Sequence, residues 1–125
     1  MGAPTRIGTC GWADATLVKC GRFYPHDVAN DPQRRLAFYA ASFSLVEVDA
    51  TYYAIPARRV VEGWASTTPF GMTFDVKAYG LFTGHKVATK SLPRDVRGAL
   101  PRTLADAASV QVGELDVGLV AELRR

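Results

Sequence analysis

The stretch that most constrains the fold of this chain is residues 46–53, Val-Glu-Val-Asp-Ala-Thr-Tyr-Tyr. It begins as a β-branched run typical of a buried strand, and it ends in acidic, hydroxyl and aromatic side chains. Its two acids, Glu47 and Asp49, are costly to bury unless they are paired or have a function. We therefore expect a buried strand whose carboxyl end reaches a functional surface.

Strands and helices alternate around this stretch. A short strand that ends in a Gly-rich turn is predicted over residues 6–12, and residues 13–31 are expected to be irregular. A helix then begins at Pro32, with Asn30 or Asp31 as its cap. The later elements are a strand over 45–49, a loop over 51–56, a helix over 57–66 and a strand over 72–78. This alternation predicts parallel βαβ units.

Apolar side chains at helical spacing predict which helix faces are buried. The helix faces expected to point inward carry Leu36, Tyr39, Ala40 and Phe43 in the first helix and Val60, Val61, Trp64 and Ala65 in the second. Residues 79–112 show no strong periodicity, so only short helical pieces near 93–98 and 101–108 are predicted there. A final helix over 114–125 carries Leu115, Leu119, Val120 and Leu123 on one face.

The composition is that of a globular protein, with 48% hydrophobic and 22% charged residues. No apolar run approaches the roughly 20 residues that span a bilayer, and the first residues lack the apolar core of a secretory signal. Two cysteines at this spacing, Cys10 and Cys20, favour neither a disulfide framework nor a structural zinc site. We therefore expect a cytoplasmic protein.

Three parallel strands form an incomplete α/β fold, with an unpaired edge at the third strand. A (β/α) barrel takes about 250 residues. We therefore expect residues 1–125 to be a single, partial domain, the truncated N-terminal part of a TIM-type (β/α) barrel. The alternative is a small open α/β sheet.

Several motifs together resemble the YecE-like proteins, domain-of-unknown-function family 72. They are Ile7-Gly8-Thr9-Cys10-Gly11-Trp12, Phe23-Tyr24-Pro25, Leu36 to Tyr39 with Phe43, residues 46–53, Pro56, Trp64, Thr68-Pro69, Phe74 with Val76-Lys77, and His85. The resemblance covers roughly residues 6–90 and implies a TIM-type barrel of about twice this length. Cys10 stands where family members often have Ser, and Asp49-Ala50 stands where Asn-Ser is common. The resemblance implies no assigned activity.

Polar groups follow each predicted strand, and the carboxyl ends of the strands carry the site in a (β/α) barrel. The predicted catalytic residues are Glu47, as general base, and Lys77, which would hold an anionic group. Their alternative role is a structural ion pair, and Lys77 has Asp75 as a further possible partner. The predicted substrate-binding residues are Thr9, Trp12, Asp49, Thr51, Tyr53 and His85. Thr9 and Thr51 have the alternative role of capping their own turns.

Two further hypotheses concern a metal ion and a polyanion. Asp49 and His85 are candidates to join Glu47 in binding a divalent cation. Lys86, Lys90, Arg94, Arg97 and Arg102 form a basic segment that suits a nucleic-acid backbone, although such a segment is also typical of a solvated surface.

The site therefore predicts a hydrolase-type enzyme that acts on a phosphorylated or polyhydroxyl substrate. The alternatives are a module that binds nucleic acid or another polyanion, and an inactive truncated fragment. A fragment of this kind would self-associate through the open edge of its third strand.

Overall fold

The computed structural model describes residues 2–3 and 5–123. These residues divide into two compact units: Met1–Asp49 with Pro56–Val76, and Ala50–Ile55 with Lys77–Arg125. No helix in the described part of the chain is long and apolar enough to cross a membrane.

The first unit is built on a parallel sheet. Its strands are β1 (Gly8–Cys10), β2 (Leu45–Val48) and β3 (Thr73–Val76), in the order β1-β2-β3. Gly8 pairs with Leu45, and Leu45 pairs with Thr73. A Cβ atom on Gly8 would lie only 2.0 Å from the Leu45 carbonyl oxygen, so this close approach of β1 to β2 requires glycine. The predicted parallel α/β arrangement is confirmed for these strands.

Four helices complete the first unit. They are α1 (Ala15–Lys19), α2 (His26–Ala29), α3 (Pro32–Ser42) and α5 (Arg58–Thr67). As predicted, Asp31 caps α3: its carboxylate accepts hydrogen bonds from the backbone N–H groups of Gln33 and Arg34, and Pro32 occupies the first turn. Helices α3 and α5 pack against each other.

The core of the first unit lies on one face of the sheet. Tyr39, Val46 and Val48 are buried at its centre. Partly buried apolar side chains surround them: Trp12, Phe23, Phe43, Trp64, Met72 and Phe74. Tyr39, Phe43, Trp64 and Phe74 are therefore core residues, as the sequence predicts.

The Tyr39 hydroxyl connects α3 to two strands. It donates a hydrogen bond to the Leu45 carbonyl at 3.0 Å and accepts one from the Thr9 backbone N–H at 2.7 Å. Its ring is fully buried. One side chain thus satisfies backbone groups of both β1 and β2 and fixes the helix over the sheet.

Two predictions about the first unit are wrong. Residues 13–31 are not wholly irregular, because Asp14 caps the five-residue α1, and α2 follows Pro25. These helices are too short to show an apolar period. In α5, Val60 and Val61 are 39% and 44% exposed and Ala65 is also exposed, so the predicted inward face is reduced to Trp64. Of these four residues, Trp64 packs against the core, stacked on Phe74 and edge-on to Trp12.

The second unit is built from short elements. They are α4 (Ala50–Tyr53), β4 (Val87–Ala88), α6 (Arg94–Gly98), α7 (Arg102–Ala105), β5 (Ser109–Val110) and α8 (Val117–Glu122), with 3-10 turns at Gly80–Thr83, Thr89–Ser91 and Val112–Glu114. Strands β4 and β5 pair antiparallel. Helix α4 corrects the loop predicted over 51–56, whereas α6 and α7 confirm the two short helical pieces.

The core of the second unit is a separate apolar cluster. Its most buried members include Leu81, Val96 and Val110. Leu115, Leu119 and Leu123 belong to the same cluster, as predicted for the final helix. Helix α8 is shorter than residues 114–125, and residues 124 and 125 lie outside the described part of the chain.

We expect the substitution Tyr39→Phe to lower the free energy of unfolding by about 1–3 kcal/mol, because it leaves the Thr9 N–H and the Leu45 carbonyl without their partner. Urea unfolding measures this change. Tyr53→Phe is the control, since Tyr53 is 70% exposed and its replacement should have almost no effect. Equal effects of the two substitutions would contradict the role of the Tyr39 hydroxyl.

Tyr24 provides a prediction for alkaline pH. Burial raises the pKa of its phenol from 10.0 to about 12, and the hydroxyl donates to the Trp12 carbonyl at 2.7 Å. The folded state therefore retains a proton that the unfolded state loses, so stability falls as the pH rises from 10 towards 12. Tyr24→Phe should make this fall shallower in unfolding curves recorded at several pH values, and an unchanged pH dependence would refute the assignment.

Candidate functional site

The candidate site begins with the register between β1 and β2. Cys10 is the register partner of Glu47, and side chains of paired residues project from the same face of a sheet. Val46 and Val48 pack into the core on the other face. Glu47 therefore projects away from the helices, as its position between two valines predicts.

A thiol and two carboxylates meet at this edge of the sheet. The Cys10 Sγ donates a hydrogen bond to the Glu47 Oε2 at 3.0 Å. Asp49, immediately after β2, completes the group: one ligand atom from each of the three residues lies within 4.8 Å of the others. Cys10 is exposed, and Glu47 and Asp49 are half-buried. We name Cys10, Glu47 and Asp49 the strand-end cluster.

The strand-end cluster has the chemistry of a partial cation site. Thiolate and carboxylate groups bind zinc at about 2.0–2.3 Å, so two ligands of one ion lie at most about 4.6 Å apart. The Cys10 Sγ and the Glu47 Oε2, 3.0 Å apart, are inside this limit, and the ligand atoms of all three residues lie within 4.8 Å of one another. Asp49 and Glu47 thus lie together as predicted, with Cys10 as their neighbour within the first unit.

The sequence analysis missed Cys10 as a member of the cluster and selected Thr9. Thr9 pairs with Val46 and so projects towards α3, on the opposite face from Glu47. Its hydroxyl lies 3.0 Å from both the Gly11 carbonyl and the Tyr39 hydroxyl, so its single proton already has acceptors in the protein. The signal that would have found Cys10 is the alternation of side chains along β1.

Trp12 lies in the core and also lines a groove. Its ring contacts Trp64 and Phe74 edge-on, with ring centroids at 5.4 and 6.2 Å. The groove has a volume of about 290 Å³. Leu36 and Gln33 of α3 line one side of it, and Arg59 and Trp64 of α5 line the other.

The remaining predicted site residues belong to the second unit. The Thr51 hydroxyl is buried and donates to the Lys77 carbonyl at 2.7 Å, which is a structural contact. Tyr53 is 70% exposed, and Lys77 is exposed. His85 is exposed; its Nδ1 lies 2.7 Å from the Thr83 hydroxyl, and its ring packs edge-on against Tyr52. The predicted functions of these residues stay predictions.

The basic segment also lies in the second unit. Lys86, Lys90, Arg94 and Arg102 are exposed, and Arg97 is half-buried. None of these five side chains forms an ion pair within the residues that the structure describes. The positive charge of this segment is therefore not offset by ion pairs within the described residues.

The fold and the strand-end cluster define an α/β protein with a candidate site at the carboxyl edge of a parallel sheet. Residues 6–119 match the family model described as "Protein of unknown function DUF72". The chain therefore belongs to this family, and the resemblance seen in its sequence motifs is confirmed.

A curated protein similar to this chain is the UPF0759 protein YunF of Bacillus subtilis (strain 168). It is 40% identical to this chain over 80 residues, which are 64% of this chain and 26% of the relative. The matched region thus spans about a quarter of the relative's length. No solved structure shows a significant match.

Proposed function

We propose that this protein is a hydrolase-type enzyme acting on a phosphorylated or polyhydroxyl substrate, with its reactive groups at the carboxyl edge of the β1-β2-β3 sheet. The observation that carries the proposal is the strand-end cluster, in which a thiol and two carboxylates converge. Paired carboxyl groups at a strand edge suit general acid–base chemistry on hydroxyl and phosphate groups.

The topology supports a TIM-type barrel as the complete architecture. The three strands are parallel, and each pairs with its neighbour in the sequence, which is the order that a (β/α) barrel uses. In that fold the carboxyl ends of the strands form the active site. The strand-end cluster would then lie at the mouth of the barrel.

Glu47 has the geometry of a general base. It is half-buried on the face opposite the core. The Cys10 thiol orients it by donating to Oε2, and as a general base the carboxylate would take a proton from water or a substrate hydroxyl.

A divalent cation suits the same cluster. An ion bound by the Cys10 sulfur and the two carboxylates would polarise a substrate oxygen as a Lewis acid. Because the thiol has to lose its proton to become a ligand, we expect ion affinity to rise with pH.

Other features of the sequence prediction remain proposals. They are the anion-holding role of Lys77, the polyanion-binding alternative, self-association through the edge of β3, truncation, and a cytoplasmic location.

We expect Glu47→Gln to reduce kcat by about 10²–10⁴-fold on a responsive substrate, because the amide cannot accept a proton. Suitable probes are p-nitrophenyl phosphate and p-nitrophenyl glycosides, assayed with and without Mn²⁺ or Zn²⁺. The matched control is Asp75→Asn, since Asp75 is the register partner of Glu47 on β3 and lies outside the strand-end cluster. Activity that survives Glu47→Gln, or falls equally in both variants, would refute the assignment.

We expect Zn²⁺ to raise the melting temperature of the protein through the strand-end cluster, because an ion that binds the folded state stabilises it. Cys10→Ala and Asp49→Asn should each reduce this increase in thermal scans with a zinc titration. Cys20→Ala is the control, because Cys20 is also an exposed cysteine outside any disulfide but lies outside the cluster. A shift that persists in Cys10→Ala, or disappears in Cys20→Ala, would contradict ion binding at this edge.

A further inference from the structure

A second pocket lies wholly within the second unit. Its volume is about 360 Å³, and it is lined by Thr89, Lys90, Arg97, Ala105, Ala107 and Ala108. We name it the Lys90–Arg97 pocket. It combines two cationic side chains with a wall of small residues, so a ligand can come close to the backbone of residues 105–108.

Hydrogen bonds hold the wall of this pocket in place. The Thr89 hydroxyl donates to the Ala107 carbonyl at 2.6 Å, and the Thr89 backbone N–H donates to the Ala108 carbonyl at 3.1 Å. Thr89 is only 4% exposed. These bonds extend the antiparallel pairing of β4 with β5. Hydrogen bonds to the backbone therefore join the two sides of the pocket, in addition to contacts between surface side chains.

Arg97 is oriented towards Lys90. Its Nη1 donates to the Lys90 carbonyl at 3.2 Å, which fixes the guanidinium beside Lys90, a residue that also lines the pocket. A guanidinium has five N–H donors, so most of them remain for a ligand. Arg97 is also half-buried, which reduces the solvent screening of its charge.

The charge of the pocket is not neutralised by the fold. Within the described residues neither Lys90 nor Arg97 pairs with a carboxylate. Asp95 and Asp106 are the acids of residues 86–106, against five cationic residues, and both are exposed and outside the pocket lining. Two adjacent cations without a counter-charge favour a doubly charged anion over a singly charged carboxylate.

We propose that the Lys90–Arg97 pocket binds the phosphate group of a small phosphorylated compound. Its volume is at the lower end of the range for small-molecule sites, whereas proteins that bind single-stranded nucleic acid contact about 4–16 nucleotides along an extended groove. The pocket therefore fits one phosphate monoester with a short carrier. This proposal is independent of the hydrolase proposal, because it uses none of the residues of the strand-end cluster.

The test is a titration of the protein with inorganic phosphate and with glycerol 3-phosphate, followed by heteronuclear NMR. We expect saturable shifts of the amide signals of residues 89–90, 97 and 105–108. Lys90→Gln and Arg97→Gln should each raise Kd by about tenfold, the loss of one charge-assisted contact. Shifts confined to these amides, and absent at residues 10, 47 and 49, would place the phosphate in this pocket, so failure of the hydrolase proposal and of this one can be distinguished.

Two matched controls come from the same basic segment. Lys86→Gln and Arg102→Gln remove the same charges but lie outside the pocket lining, and each should change Kd by less than about twofold. Arg97→Gln also removes the bond to the Lys90 carbonyl, so its fold is checked by thermal unfolding. Lys90→Gln provides an independent test, because no side-chain bond of Lys90 is lost from the described structure.

Four results would overturn the proposal. One is the absence of saturable phosphate binding. Another is equal weakening by all four substitutions, which would indicate a diffuse electrostatic effect. The third is tight binding of a short single-stranded oligonucleotide with steep salt dependence and no binding of free phosphate, which would assign the segment to nucleic acid. A parallel titration with acetate separates a phosphate site from a general anion site, and equal affinity for acetate would also count against the proposal.

Discussion

The first unit depends on the hydroxyl group of Tyr39. A parallel sheet of three- and four-residue strands has few backbone hydrogen bonds, and β1 has only three residues. The buried Tyr39 adds a bond to each of β1 and β2 from a helix whose start is fixed independently by Asp31. The contact thus connects the helix cap, the helix face and the strand register. The strand-end cluster depends on that register, because a shift of one residue would exchange Cys10 for Thr9 beside Glu47.

The side chains at the end of β1 separate the face of the sheet that packs against the core from the face that carries the strand-end cluster. Thr9 projects towards the core, where its N–H and hydroxyl both contact Tyr39. Cys10 projects the opposite way and donates to Glu47. Neighbouring polar residues in the sequence therefore have different roles, because alternate residues of a strand face opposite sides. A serine at position 10 would preserve a donor to the carboxylate while exchanging a soft ligand for a hard one.

The sequence predicted those parts of the fold that have a strong local signal. Asp31-Pro32 marks the start of α3, and the apolar run before Glu47 marks β2. The α5 prediction failed at Val60 and Val61 because periodicity reports which face is apolar and not whether a neighbouring element covers it. The second unit was the least predictable part, since its elements of two to six residues are too short for any period to emerge. The Lys90–Arg97 pocket was missed because it depends on contacts of Thr89 with Ala107 and Ala108, which are far from it in the sequence. Cys10 was missed although the alternation of side chains along β1 separates it from Thr9.

Charge connects the proposed substrate to the proposed cation. The strand-end cluster contains two carboxylates, and a phosphorylated substrate would bring further negative charge to the same edge. Carboxylate oxygens within 4.8 Å of each other repel strongly when they are charged and partly buried, so the cluster alone disfavours an anionic substrate. A divalent cation bound by Cys10, Glu47 and Asp49 would reverse that preference, because its two positive charges offset the carboxylates and attract the phosphate. The same cation would occupy lone pairs of Glu47, and so the general-base role requires one carboxylate oxygen to stay outside the coordination sphere. A neutral polyhydroxyl substrate brings no negative charge, so it requires neither a bound cation nor a Glu47 oxygen outside a coordination sphere. The cation dependence of KM, measured separately for a phosphorylated and a neutral substrate, therefore discriminates between the two substrate classes on the chemistry of these three side chains alone.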